Sequence, residues 1–209
     1  MEFKLLFAGE LPTSKGTKGR LGVKHEIRRK FHPQLKLLWS MNPNLRTLAS
    51  RYFERGPEEK NDPYPSDRER FQRGIEALGR NWNRAGFDFV PLVTPEMALR
   101  CSLDISLLRP NEEGFIYEQG DIDGQLKTLF DSLRMPDSPS ETGGATPGEG
   151  ENPFYCLLND DRLITEVKVS TDQLLLLPNE QEVRPNDAHV VIRVKLNHKD
   201  ARTFDNYFG

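Results

Sequence analysis

Apolar residues that alternate with polar ones mark five candidate strands along the chain. The strands are predicted at residues 3–7, 87–93, 99–108, 163–169 and 189–196. They occur towards both ends of the chain, and the segments between them carry helical patterns. This order predicts an α+β fold, in which one mixed β-sheet is covered by helices.

Helical spacing first appears after a Gly- and Lys-rich loop that follows the first strand. Ile27, Phe31 and Leu35 recur at the spacing of one helical face, from about Lys24 onwards. Pro33 is expected to break or kink this helix, because proline lacks the backbone N–H and clashes with the preceding turn.

A capping box predicts the start of another helix. Ser66 and Glu69 have the required spacing, and an apolar stripe follows them from Phe71 to Trp82. Exposed arginines on the other faces of this helix are either ordinary solvent-facing charges or a surface that contacts phosphate.

The segment 136–153 differs in composition from the rest of the chain. It holds Pro, Gly and acidic residues and no large apolar side chain. Such a segment buries too little surface to offset its chain entropy, so it is predicted to be a flexible loop.

Length and composition narrow the class of protein. The chain has 209 residues, enough for a single domain with insertions. No apolar run is long enough to cross a bilayer, and the first residues lack the features of a signal peptide, so a cytoplasmic protein is expected. Cys101 and Cys156 stand far apart, which indicates neither a disulfide framework nor a zinc site.

Positive charge is concentrated near the N-terminus, although the net charge of the chain is -3. Seven basic residues and one acid lie between positions 15 and 30. The basic residues are Lys15, Lys18, Arg20, Lys24, Arg28, Arg29 and Lys30. This stretch is either a solvated loop and helix face or a site that neutralises DNA phosphates. We select Lys15, Lys18, Arg20, Lys24 and Arg28 as the candidate DNA contacts.

Two carboxylates precede an apolar stripe that predicts a helix beginning just after Asp123. Asp123 then occupies the N-cap region, and Asp121 should project in the same direction if the approach is extended. A single Asp needs no explanation beyond capping. Two adjacent anions repel each other unless a cation offsets them, and Mg²⁺ binds such carboxylates. Lys127, one turn further on, can pair with Asp123 or reach a phosphate oxygen.

A third acid is supplied by the pair Asp160 and Asp161, at the entry to the strand predicted over 163–169. A pair of Asp residues at a turn is common turn chemistry. Its position beside a strand that could lie near the predicted helix makes it a possible further metal ligand.

These residues together resemble the core motif of the RusA family of Holliday junction resolvases. The matching pattern is Asp121-x-Asp123-x-x-x-Lys127-x-x-x-Asp131-x-Leu133, followed by Asp160-Asp161 and a strand that carries Glu166. The match covers about residues 121–169. Gly124 stands where the family usually has Asn, and the segments 41–97 and 136–153 lie outside the compact family pattern.

The resemblance implies a small homodimeric, RusA-like endonuclease that cuts four-way DNA junctions with Mg²⁺ or Mn²⁺. Asp121, Asp123 and Asp161 then hold the metal, with Asp160 as the fallback ligand, and Lys127 is the catalytic lysine. We interpret residues 41–97 as an inserted helical segment of the single domain. Two other functions are compatible with these residues: a non-catalytic module that binds branched DNA, and a nuclease for flaps or other branched nucleic acid.

Overall fold

The first sheet contains four strands, and one of its faces is buried in the hydrophobic core. The computed structural model describes residues 1–13, 22–54, 56, 64–109, 122–175 and 187–198. The strands of this sheet are β1 (Glu2–Glu10), β4 (Leu99–Arg109), β6 (Ile164–Gln173) and β7 (Asp187–His198), in the order β1-β7-β4-β6. β7 is antiparallel to both of its neighbours, whereas β4 and β6 are parallel.

The alternation read from the sequence produces this buried face. Leu103 and Ile105 of β4 lie beside Val194 and Ile192 of β7, and all four side chains are buried. Successive residues of a strand point to opposite faces, so the polar residues between them face away from the core. The prediction of strands in these four regions, and of an α+β fold, is confirmed.

The structure contains a second sheet, which the sequence did not predict. It contains β2 (Asn83–Arg84), β3 (Phe87–Val93) and β5 (Phe154–Leu158), in the order β2-β3-β5, with β3 parallel to β5. The prediction of one sheet is therefore wrong. β5 has no alternation to reveal it because all five of its residues are buried, as is typical of a strand covered on both faces.

Helix α1 (Val23–Met41) runs without interruption through Pro33, contrary to the predicted break. Its apolar stripe is buried along the whole length of the helix, from Val23 to Trp39. A proline inside a helix costs about 3 kcal/mol, and burying a single large apolar side chain contributes a comparable free energy. The packing of the stripe therefore outweighs the local cost.

Two more helices occupy the segment that was interpreted as an inserted helical unit. They are α2 (Pro43–Ser50) and α3 (Asp67–Asn81), and the predicted capping box between Ser66 and Glu69 is present. α3 packs closely on α2 at Gly74, where a Cβ atom would lie 2.0 Å from the Ala49 carbonyl oxygen. β3 also lies in this segment and pairs with β5, so the described part of residues 41–97 contains a buried strand as well as helices.

The segment 136–153 packs on α1, and the prediction of a flexible loop is corrected. It contains a 3-10 helix, Pro139–Thr142, and the Thr142 side chain is buried. Arg29 of α1 forms an ion pair with Glu151, with Nε and Oε1 2.8 Å apart. Lys36 Nζ donates a hydrogen bond of 2.9 Å to the Gly150 carbonyl. Ion pairs and hydrogen bonds replace the apolar burial that its composition lacks.

In the part of the chain that the structure describes, no helix combines the length and the apolar character needed to cross a membrane.

Candidate functional site

Helix α4 (Ile122–Leu133) carries two of the four candidate catalytic residues on its exposed side. Asp123 and Lys127 are exposed and lie one turn apart, whereas Leu129 and Leu133 are buried in the core. The helix begins two residues earlier than predicted, so Asp123 lies inside its first turn. A carboxylate there is stabilised by the positive end of the helix dipole.

The first turn of α4 is anchored to the ends of two strands. The buried Gln125 side chain donates a hydrogen bond of 2.9 Å from Nε2 to the Leu11 carbonyl. Its Oε1 accepts a hydrogen bond from Arg109 at the end of β4. This anchoring holds the backbone that carries Asp123, so the carboxylate is presented to solvent from a supported turn.

The two acids after β5 have different environments. Asp160 accepts hydrogen bonds from the Arg162 backbone N–H and guanidinium, at distances of 2.7 to 3.0 Å. These interactions hold the pKa of Asp160 well below its usual range. Asp161 is exposed at the start of the 3-10 helix Asp161–Leu163, which the buried Leu163 fixes to the core. Because Asp160 is already paired with Arg162, Asp161 is the better metal-ligand candidate.

The fold makes α4 and the Asp161–Leu163 helix direct neighbours. Arg109 at the end of β4 contacts Gln125 near the start of α4, whereas Ile164, next to the Asp161–Leu163 helix, pairs with Cys101 near the beginning of β4. Asp123 therefore lies at one end of α4 and Asp161 beyond the other, so the fold does not bring these two carboxylates together. Asp121 lies outside the described residues, so the full set of three predicted ligands is not placed. Within the described residues, no group of three or more His, Cys, Asp or Glu side chains is arranged to hold a metal ion.

The structure corrects the prediction that Arg28 contacts DNA. Arg28 is 0% exposed, and its guanidinium donates hydrogen bonds of 2.7 Å to the carbonyls of Arg134 and Asp131. Burial lowers the pKa of Arg28 to about 10. Its charge stabilises the contact of α1 with the C-terminal end of α4, and no part of it is available to a phosphate.

Lys24 is partly exposed and forms an ion pair with Asp131, with Nζ and Oδ2 2.6 Å apart. Its charge is therefore already offset within the protein. The other three predicted DNA contacts, Lys15, Lys18 and Arg20, lie outside the described residues.

Sequence reasoning missed a second buried face on α1. His25, Arg28 and His32 recur three and four residues apart, the spacing of one helical face, and all three are buried. His25 and His32 pack against Phe154, with ring centroids 5.2 and 4.4 Å apart. The helical spacing of these polar residues was the available signal, but their polarity argued for a solvated face.

Comparisons with protein-family models, with curated proteins and with solved structures find no match to this chain. The functional interpretation therefore depends on the site residues themselves and on the motif resemblance.

Proposed function

We propose that this protein is a divalent-metal-dependent endonuclease that cuts branched DNA, with the four-way junction as its substrate. The observation that carries the proposal is the joint exposure of Asp123 and Lys127, one turn apart at the start of a core-anchored helix. A carboxylate and a lysine one turn apart on supported backbone, both open to solvent, can bind a divalent cation and contact a phosphate.

The donor set fits Mg²⁺ or Mn²⁺, because both ions prefer carboxylate oxygens. Asp121 and Asp123 would hold the ion, which would supply an activated water and neutralise phosphate charge. Asp161, the third predicted ligand, lies beyond the other end of α4 and would not reach the same ion. Lys127 stabilises the charge that develops on the phosphate during hydrolysis.

The direct test is a cleavage assay on synthetic four-way junction, flap and linear duplex DNA, with Mg²⁺ and with a chelator. The expected result is junction cleavage that requires the metal and is abolished by Asp121→Asn or Asp123→Asn, while junction binding is retained. Asp67→Asn is the matched control, because Asp67 is an exposed acid in the first turn of α3. It should cut like the wild type.

The outcome pattern separates the alternatives. Junction binding without cleavage by the wild-type protein, under any divalent metal, would identify a non-catalytic DNA-binding module. Preferential cleavage of flaps would identify a different branched substrate. Unchanged turnover in both Asp→Asn variants, at the wild-type metal requirement, would remove the proposed metal site.

A further inference from the structure

We infer that β6 is the homodimer interface, where two copies of this chain pair antiparallel through a two-fold axis at Val167. This inference rests on the geometry of the first sheet and does not require the proposed nuclease activity.

β6 is an open edge in the described structure. It pairs on one side with β4 over the whole of Ile164–Gln173, and no other described strand lies beside it. The unpaired N–H and C=O groups of such an edge are a template for another strand. With ten residues, no proline and several β-branched side chains, β6 is well suited to pair with a further strand.

The opposite edge of the same sheet is closed. The Gln34 side chain of α1 lies against β1, donating a hydrogen bond of 2.7 Å to the Leu6 carbonyl. Its Oε1 accepts a hydrogen bond of 2.9 Å from the Leu6 backbone N–H. One amide group thus blocks strand addition in the middle of β1. No described side chain does the same for β6, so the two edges differ in availability.

β6 also leaves apolar surface uncovered at its edge. Val167 pairs in register with Leu103, whose side chain is buried in the core, yet Val167 is 42% exposed. The core face of the sheet therefore continues past its last covered strand. A second β6 would place the partner's Val167 directly against this side chain and cover both.

The charges on β6 select one register. An axis through Val167 sets Glu166 against the partner's Lys168 and Lys168 against the partner's Glu166. Opposite charges facing each other across an antiparallel pair are stabilising, and like charges are destabilising. An axis through Glu166 or Lys168 would oppose like charges. An axis through Ser170 matches Lys168 with Asp172 but leaves Val167 opposite Gln173.

Both charged side chains are available for these pairs. The Lys168 side chain is 74% exposed and forms a loose ion pair with Asp104, whose carboxylate is 3.8 Å from Nζ and itself partly exposed. Glu166 is exposed. An isologous two-fold contact requires a self-complementary surface, and the run Glu166-Val167-Lys168 has this property.

The first experiment measures the oligomeric state of the full chain by sedimentation over a concentration series. The wild type is expected to dimerise, and Val167→Lys is expected to raise the dimer dissociation constant at least tenfold, because it opposes two lysines at the axis. Leu6→Lys is the matched control, since Leu6 is an exposed apolar residue on the closed edge. It should dimerise like the wild type.

A charge-swap mixture tests the register. Glu166→Lys and Lys168→Glu should each weaken self-association about tenfold, because in each variant residues 166 and 168 carry the same charge and face each other in two pairs across the axis. An equal mixture of the two variants should recover dimers, because every opposed pair is then of opposite charge. This recovery does not depend on how well the Val167→Lys variant folds.

Three results would overturn the inference. A wild type that stays monomeric through the series excludes the dimer, and wild-type dimerisation by a folded Val167→Lys variant excludes β6 as its interface. Failure of the mixture to recover dimers excludes the axis at Val167. None of these results bears on DNA cleavage, so the failure of this inference and of the proposed function are distinguishable.

Discussion

His25 shows how a single buried side chain makes the stability of the fold depend on pH. It is 1% exposed and packs edge-on against Phe87, with ring centroids 4.9 Å apart. Arg28 Nη1 lies 3.3 Å from Nδ1, and a guanidinium can only donate, so the ring proton is on Nε2. Burial, with the adjacent Arg28 and Arg29 charges, lowers the pKa of His25 to about 4.

Acidification should therefore destabilise the protein through His25. A histidine whose pKa is lower in the folded state binds its proton preferentially when unfolded. Its contribution is complete above about pH 6.5 and is lost as the pH falls from there towards 4, by on the order of 3 kcal/mol in total. His25→Gln should flatten this loss in denaturant titrations across that pH range. His189→Gln, at an exposed position of β7, is the control and should keep the wild-type slope.

Lys127 is the second residue whose role can be isolated. Its side chain is exposed, and the packing of this part of the helix comes from the buried residues Thr128 and Leu129. Replacing the Lys127 side chain therefore leaves the packing of the helix intact. Lys127→Met should lower single-turnover cleavage by roughly a hundredfold or more while junction affinity changes much less. Loss of affinity and cleavage in equal measure would assign Lys127 to binding alone.

Among the longer segments, 136–153 departs most from its predicted behaviour. Glu141 of this segment joins α1 and α4, with its carboxylate 3.1 Å from Arg134 Nη2 and 3.6 Å from Arg28 Nη2. Two guanidiniums that are almost fully buried thus depend on an acid from a segment without apolar side chains. The segment stabilises the fold through charge, which its composition did not indicate.

Glu141→Gln should accordingly lower the free energy of unfolding by on the order of 2 kcal/mol, because it leaves buried guanidinium charge less compensated. Thermal and chemical denaturation measure this change. Glu149→Gln is the matched control, since Glu149 is exposed in the same segment. Equal stability of both variants would show that the segment is not held by these ion pairs.

For the molecule as a whole, the fold makes two residues of the basic stretch 15–30 unavailable to phosphate. Arg28 is enclosed and Lys24 is paired with Asp131, so the candidate phosphate contacts that remain are Lys15, Lys18 and Arg20. A site rich in carboxylates needs compensating positive charge near a polyanion.

Neutralising Lys18 and Arg20 together should weaken junction binding and reduce the slope of log affinity against log salt by roughly two, about one unit per lost phosphate contact. Turnover at saturating DNA should change little. The same change at Arg68 and Arg80, which are exposed on α3, is the comparison. A larger effect there would place the DNA on α3 and leave the basic stretch as a solvated surface.

The sequence by itself determined the elements that have one buried face. β4, β7 and α1 were predictable because the alternating or helical spacing of apolar residues shows which side of an element is buried. The Ser66–Glu69 capping box was predictable because its two residues are only three positions apart. The acids at 121, 123 and 161 were predicted from a motif in the sequence, and whether they act together depends on the tertiary structure, which places Asp123 and Asp161 at opposite ends of α4.

Only the tertiary structure decided which polar residues are buried and what satisfies them. Arg28 bonds to Arg134, 106 positions away, and Tyr155 N–H donates to His32 Nδ1 across 123 positions, so no local pattern contains either pair. The continuity of α1 through Pro33, the second sheet and the docking of 136–153 have the same origin. Each depends on free energy from contacts between distant segments, which local periodicity cannot express.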